Sequence, residues 1–73
     1  MEQWIYCAKG FCDADKGENL VWAYKRRKNA EKRFDKLVKS MCYEKVALTL
    51  QNAVFIAETE LVLKEYRVKK ENA

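Results

Sequence analysis

The chain has 73 residues and a formal charge of +4, from 15 basic and 11 acidic side chains, which allows one small domain near the lower size limit for folding alone. Hydrophobic residues make up 49%, with two Trp, four Tyr and three Phe, enough to build a core and to exclude a disordered chain. There is no histidine, so the usual neutral-pH base and the commonest metal ligand are missing, and no apolar run approaches the roughly 20 residues of a membrane span.

Trp4-Ile5-Tyr6-Cys7-Ala8 is rich in β-branched and aromatic residues and predicts a strand from Gln3 to Phe11. Cys12 to Glu18 reads as a hairpin loop, with Asp13 and Asp15 as turn formers and Gly17 free to take positive φ. Leu20 to Tyr24 is then a second strand, antiparallel to the first. Asn29 is placed to cap a helix with its side-chain oxygen. Beyond it, Ala30, Phe34, Leu37, Val38 and Met41 recur at helical spacing and share an arc of about 100°, so a helix is expected from Ala30 to Cys42. Val46, Leu48 and Leu50 alternate with Lys45, Ala47 and Thr49, which predicts a third strand from Tyr43 to Leu50 and a tight turn at Gln51-Asn52. The end reads as extended, with a break near Glu58-Thr59 and a strand from Leu61 to Val68. A helix over part of 52–68 is the alternative, and 69–73 reads as a frayed tail.

The expected fold is a single α+β domain, a small antiparallel sheet with one amphipathic helix on one face, in the order β-β-α-β-β with room for one extra strand. One helix covers one face. Strands 1 and 2 are apolar on both: Trp4, Tyr6 and Ala8 oppose Ile5, Cys7 and Phe11, and Leu20, Trp22 and Tyr24 oppose Val21 and Ala23. The second face therefore calls for cover, by the C-terminal segment, a second copy or another protein.

The chemistry on offer is sparse. Cys7, Cys12 and Cys42 are an odd set of thiols, and Met1-Glu2-Gln3-Trp4 lacks the basic start of a secretory signal, so reduced thiols in a cytoplasm are expected. Three cysteines without histidine fall short of a four-ligand zinc site, and Cys7 and Cys42 read as small core residues. Asp13, Asp15, Gly17 and Glu18 lack the register and the final bidentate glutamate of a calcium loop. No nucleophile has an evident activating base, so no enzyme, no cofactor and no metal are expected.

Two constellations stand out. Lys25, Arg26, Arg27, Lys28, Lys32, Arg33, Lys36 and Lys39 give the window from Lys25 to Lys39 a charge of +6 against Glu31 and Asp35. Such a stripe neutralises phosphates, or is simply a solvated helix face that Glu31 and Asp35 dilute. Trp4, Tyr6, Trp22 and Tyr24 share strand parity, and Trp and Tyr are the profile of interface anchors as well as of an ordinary core.

The opening Trp4-Ile5-Tyr6-Cys7-Ala8, the short acidic hairpin, the helix with Asn29-Ala30-Glu31-Lys32-Arg33-Phe34 and the closing Leu63-Lys64-Glu65-Tyr66 make the chain similar to the small proteins encoded by phages and mobile elements of bacteria. The resemblance spans most of the chain and implies no activity. It does imply a mode of action, because such proteins often bind and block or redirect a larger host protein. The expected function is thus a non-enzymatic binding module for another protein or for a second copy of itself, meeting it with the sheet face that the helix leaves uncovered. Nucleic-acid binding through the basic stripe is the alternative.

Overall fold

A computed structural model describes residues 4–52 and 60–68. The expected break near Glu58-Thr59, the strand start at Gln3 and the tail at 69–73 lie outside the described residues. The elements are β1 (Trp4–Phe11), β2 (Leu20–Tyr24), α1 (Arg27–Ser40), β3 (Lys45–Asn52) and β4 (Leu61–Arg67). They form an α+β fold whose four-stranded sheet has the order β2-β1-β3-β4, and every neighbouring pair is antiparallel. The segment from Leu61 to Arg67 is a strand, as its extended reading predicts, and not a helix.

The core lies between α1 and one sheet face. Ala30, Phe34 and Leu37 pack on Ala8, Val46 and Leu48, with Tyr6, Trp22, Tyr24, Val38, Tyr43 and Leu63 partly buried around them. The small residues of β1 sit where α1 and its C-terminal connection press closest. A Cβ built on Gly10 would stand 2.8 Å from the ring of Tyr43, closer than real packing tolerates. Gly10→Ala is therefore expected to push the Tyr43 ring outward and destabilise the fold by about 1–3 kcal/mol. Denaturant titration checks this, and a midpoint unchanged from the parent would contradict the contact.

Leu48 pairs with Lys64 but Thr49 pairs with Val62, so β4 carries one extra residue at this point. Such a bulge re-aims a side chain. Here the extra residue is Leu63, which packs against the core although its strand is largely exposed.

Several boundaries differ from the sequence reading. α1 begins at Arg27, not Ala30, with Arg26 as an extended N-cap and no side-chain capping bond. Asn29 thus lies within the first turn and not before it. α1 also ends at Ser40, and Met41 takes a left-handed conformation with φ 58° as the C-cap. That conformation carries Met41 off the apolar stripe, and it is 87% exposed rather than packed on the sheet. Cys7 is buried as expected, whereas Cys42, just past the helix end, is exposed. β3 starts at Lys45 and continues through Gln51 and Asn52, which pair with Ile5 and Trp4 instead of turning. The β1–β2 loop needs no positive φ at Gly17. Side chains hold it: Asp13 Oδ1 accepts the N–H of Asp15 at 2.9 Å, and Asn19 Oδ1 accepts the N–H of Cys12 at 2.8 Å.

The second face is closed within the chain along β1 and β3, where Cys7, Lys9, Phe11, Ala47, Thr49 and Gln51 are all buried. Glu60 reaches onto this face, its carboxylate 3.2 Å from Lys9 Nζ. Burial raises the Cys7 thiol pKa, while the Lys9 ammonium and a hydrogen bond with Thr49 pull it back and Glu60 adds to the rise. At the edge of the same face, Lys45 Nζ lies 4.2 Å above the Phe11 ring and 3.6 Å from Glu65.

Candidate polyanion-binding flank

β2 delivers the chain to one end of the sheet at Tyr24, and Lys25-Arg26 turn it into α1. The first turn of α1 contains no acidic residue. Lys25, Arg26, Arg27 and Lys28 are all exposed there, followed by exposed Lys32, Lys36 and Lys39. A helix N-terminus carries a positive partial charge that favours acidic side chains, each worth about 0.3–1 kcal/mol. Four cations at this point work against local helix stability and concentrate positive potential at one corner of the molecule.

Of the two acidic residues within the window, Glu31 offsets Arg27 at the edge of this surface. Arg27 Nε donates to Glu31 Oε1 at 2.7 Å, and Lys64 Nζ on β4 stands 4.0 Å from Glu31 Oε2. Glu31 thus belongs to the flank of α1 that looks toward β4, whereas Asp35 is exposed between Lys32 and Lys39, three and four residues away, and offsets the stripe there. The opposite flank looks toward β2 and carries Asn29, Lys32, Arg33 and Lys36. With Tyr24 they line an open groove of about 180 Å³.

Arg33 is the best-fixed of these cations. Its guanidinium carbon lies 4.9 Å from the centre of the Trp22 ring, within cation–π range. Its Nε donates to Tyr24 Oη at 3.0 Å. Helical spacing places Arg33 beside β2, and the alternation of β2 turns Trp22 and Tyr24 to the same side, so the three meet.

The two constellations of the sequence reading are therefore one. Tyr6, Trp22 and Tyr24 lie half-buried against the helix-side core, not on the sheet face away from the helix. Trp22 and Tyr24 form the wall that holds Arg33, and Tyr6 is opposite Tyr24 in the register. Trp4 stands apart at the end of β1, opposite Asn52 and 45% exposed. Sequence reasoning misses Asn29 as a groove residue because it assigns Asn29 to the cap. The i, i+4 spacing of Asn29 and Arg33 is the available signal.

Among the described residues, no three Cys, Asp or Glu side chains gather to hold a metal ion. No helix among them is long and apolar enough to cross a membrane. Comparison with protein-family models, curated proteins and solved structures finds no match.

Proposed function

We propose that the protein is a non-enzymatic binding module of the cytoplasm that holds the phosphate backbone of a nucleic acid on the flank between β2 and α1. The observation that carries this reading is the helix N-terminus crowded with Lys25, Arg26, Arg27 and Lys28 and continued by Lys32, Arg33 and Lys36. A bound phosphate offsets the mutual repulsion of these cations and completes the N-terminal end of the helix dipole. The signature of such binding is salt, because cations that neutralise phosphates release counterions. About four contacts on duplex DNA predict a slope near −3.6 in log K against log salt.

Replacing Arg26, Arg27, Lys32 and Lys36 together with Ala is expected to abolish retention of random-sequence DNA and RNA in a gel shift. Single replacements are expected to flatten the salt slope by about one unit each. The folded state should tolerate the set, since these side chains are exposed or half-exposed and surface changes are usually worth under about 0.5 kcal/mol each. Binding by the fourfold variant equal to the parent, at two salt concentrations, would end this reading.

A second reading, association with another protein or a second copy, draws on β4. This edge strand and its end expose Leu61, Val62, Tyr66 and Val68, and an exposed edge is a template for strand addition. Its charges favour a foreign partner over a second copy, because in-register pairing about the strand centre sets Lys64 against Lys64. Light scattering across a range of concentrations separates the two: a dimer would favour self-association in spite of those charges.

A further inference from the structure

We infer that Arg33 is a pre-set phosphate fork, and that the groove lined by Asn29, Lys32 and Lys36 takes one phosphodiester end-on through it. The inference rests on the nucleic-acid reading above and goes further, to which residue anchors the backbone and how.

A guanidinium has five N–H donors in a fixed plane. In Arg33 the Nε–H is given to Tyr24 Oη and the guanidinium carbon stands over Trp22, 4.9 Å from the ring centre. That leaves the four N–H groups of the two terminal nitrogens, for which no partner occurs among the described residues. Two parallel N–H bonds from such a fork match two phosphate oxygens, which an ammonium cannot reproduce. The side-chain entropy that a free arginine loses on binding has already been lost here, so more of the contact energy appears as affinity. Lys32 and Lys36 line the same groove as point charges, and Asn29 adds an amide donor one turn before Arg33.

The same packing constrains what is read. Phe34 within the window is buried in the core, and of the aromatics that border the flank Trp22 lies under the Arg33 guanidinium and Tyr24 has its hydroxyl engaged. Both are half-buried against the core. The groove therefore engages phosphates and not bases, and affinity should be indifferent to base sequence.

The experiment is fluorescence anisotropy with a labelled random-sequence duplex at three salt concentrations, each variant first checked by thermal melting. Arg33→Lys keeps the charge and removes the fork. Its affinity should fall about tenfold with the salt slope unchanged, a separation that a purely electrostatic role would not produce. Tyr24→Phe removes only the hydroxyl that holds Nε and should weaken binding about threefold, again at constant slope. Lys36→Ala should do the opposite, flattening the slope by about one unit. If Arg33→Lys lowers the melting temperature, Tyr24→Phe, which leaves the Trp22 contact intact, decides the matter alone. Parent-like binding by Tyr24→Phe together with parent-like binding by Arg33→Lys, where that variant folds, would overturn the fork and leave the basic flank standing. A parent protein that does not bind the duplex at low salt would overturn both.

Discussion

Phe34→Ala is expected to lower the thermal midpoint by about 12–40 °C. Phe34 sits at the centre of the buried face of α1, between Ala30 and Leu37, and is 8% exposed. Its ring fills the space over Ala8, Val46 and Leu48, where the small side chain of Ala8 cannot close a cavity. Truncating a buried phenylalanine to alanine costs about 3–5 kcal/mol. In a domain of this size each kcal/mol shifts the midpoint by about 4–8 °C. The total stability expected for 73 residues is only about 4–11 kcal/mol, so this one ring accounts for a large share. Circular dichroism melts check it. Phe34→Leu, which keeps most of the volume, should lose far less, and Lys36→Ala should stay within about 0.5 kcal/mol of the parent. A Phe34→Ala melt superimposable on the parent would mean that α1 does not hold the sheet.

The second large effect is expected on the opposite face, at the pair of Lys9 and Glu60. Lys9 is a charged residue at the middle of β1, with its side chain only 6% exposed, and Glu60 supplies the carboxylate at 3.2 Å. Glu60→Gln would leave the ammonium buried without its counter-charge. Full burial of both partners would put that penalty near 3–5 kcal/mol. Glu60 is itself 37% exposed, so water and salt already screen the pair, and about 1–3 kcal/mol is the appropriate expectation. Lys9→Met keeps the aliphatic stem and removes the charge, so it should be nearly neutral or stabilising. A double-mutant cycle by denaturant titration measures the coupling, and additive effects would show that the pair carries no net interaction. The Cys7 thiol gives an independent reading. The Lys9 ammonium pulls its pKa down against the dominant effect of burial, so Lys9→Met should raise it further and slow alkylation of Cys7 in the folded protein.

The candidate flank is half legible in the sequence. Lys25 to Lys39 stands out as a basic window, and Trp22 and Tyr24 as aromatics of one strand face. Which of these meet is not legible there. Arg33 touches Trp22 and Tyr24 because α1 crosses the sheet with that flank beside β2, and an interelement angle has no local sequence signal. Counting Glu31 and Asp35 against the stripe is a one-dimensional sum. On the helix surface Glu31 falls on the other flank, where it meets Arg27 and Lys64, and Asp35 alone stands among the lysines.

What the chain determined by itself is its local order. Alternation in Leu20–Tyr24 and Lys45–Asn52 and the 3.6-residue recurrence of Ala30, Phe34 and Leu37 specify strands and a helix, because period and burial are tied through backbone geometry. The ends escaped that logic. Met41 matches the apolar period, yet as C-cap its left-handed backbone leads the chain away from the sheet. Gln51 and Asn52 look like a turn, yet they stay in β3 because pairing with Ile5 and Trp4 gives their backbone groups partners. Tertiary structure alone decided three further things. It set Leu63 against the core through an extra residue in β4, set Gly10 under the Tyr43 ring and buried Lys9 beside Glu60. Each depends on contacts between residues far apart in the chain, and the energy of such contacts exists only once the sheet order brings them together.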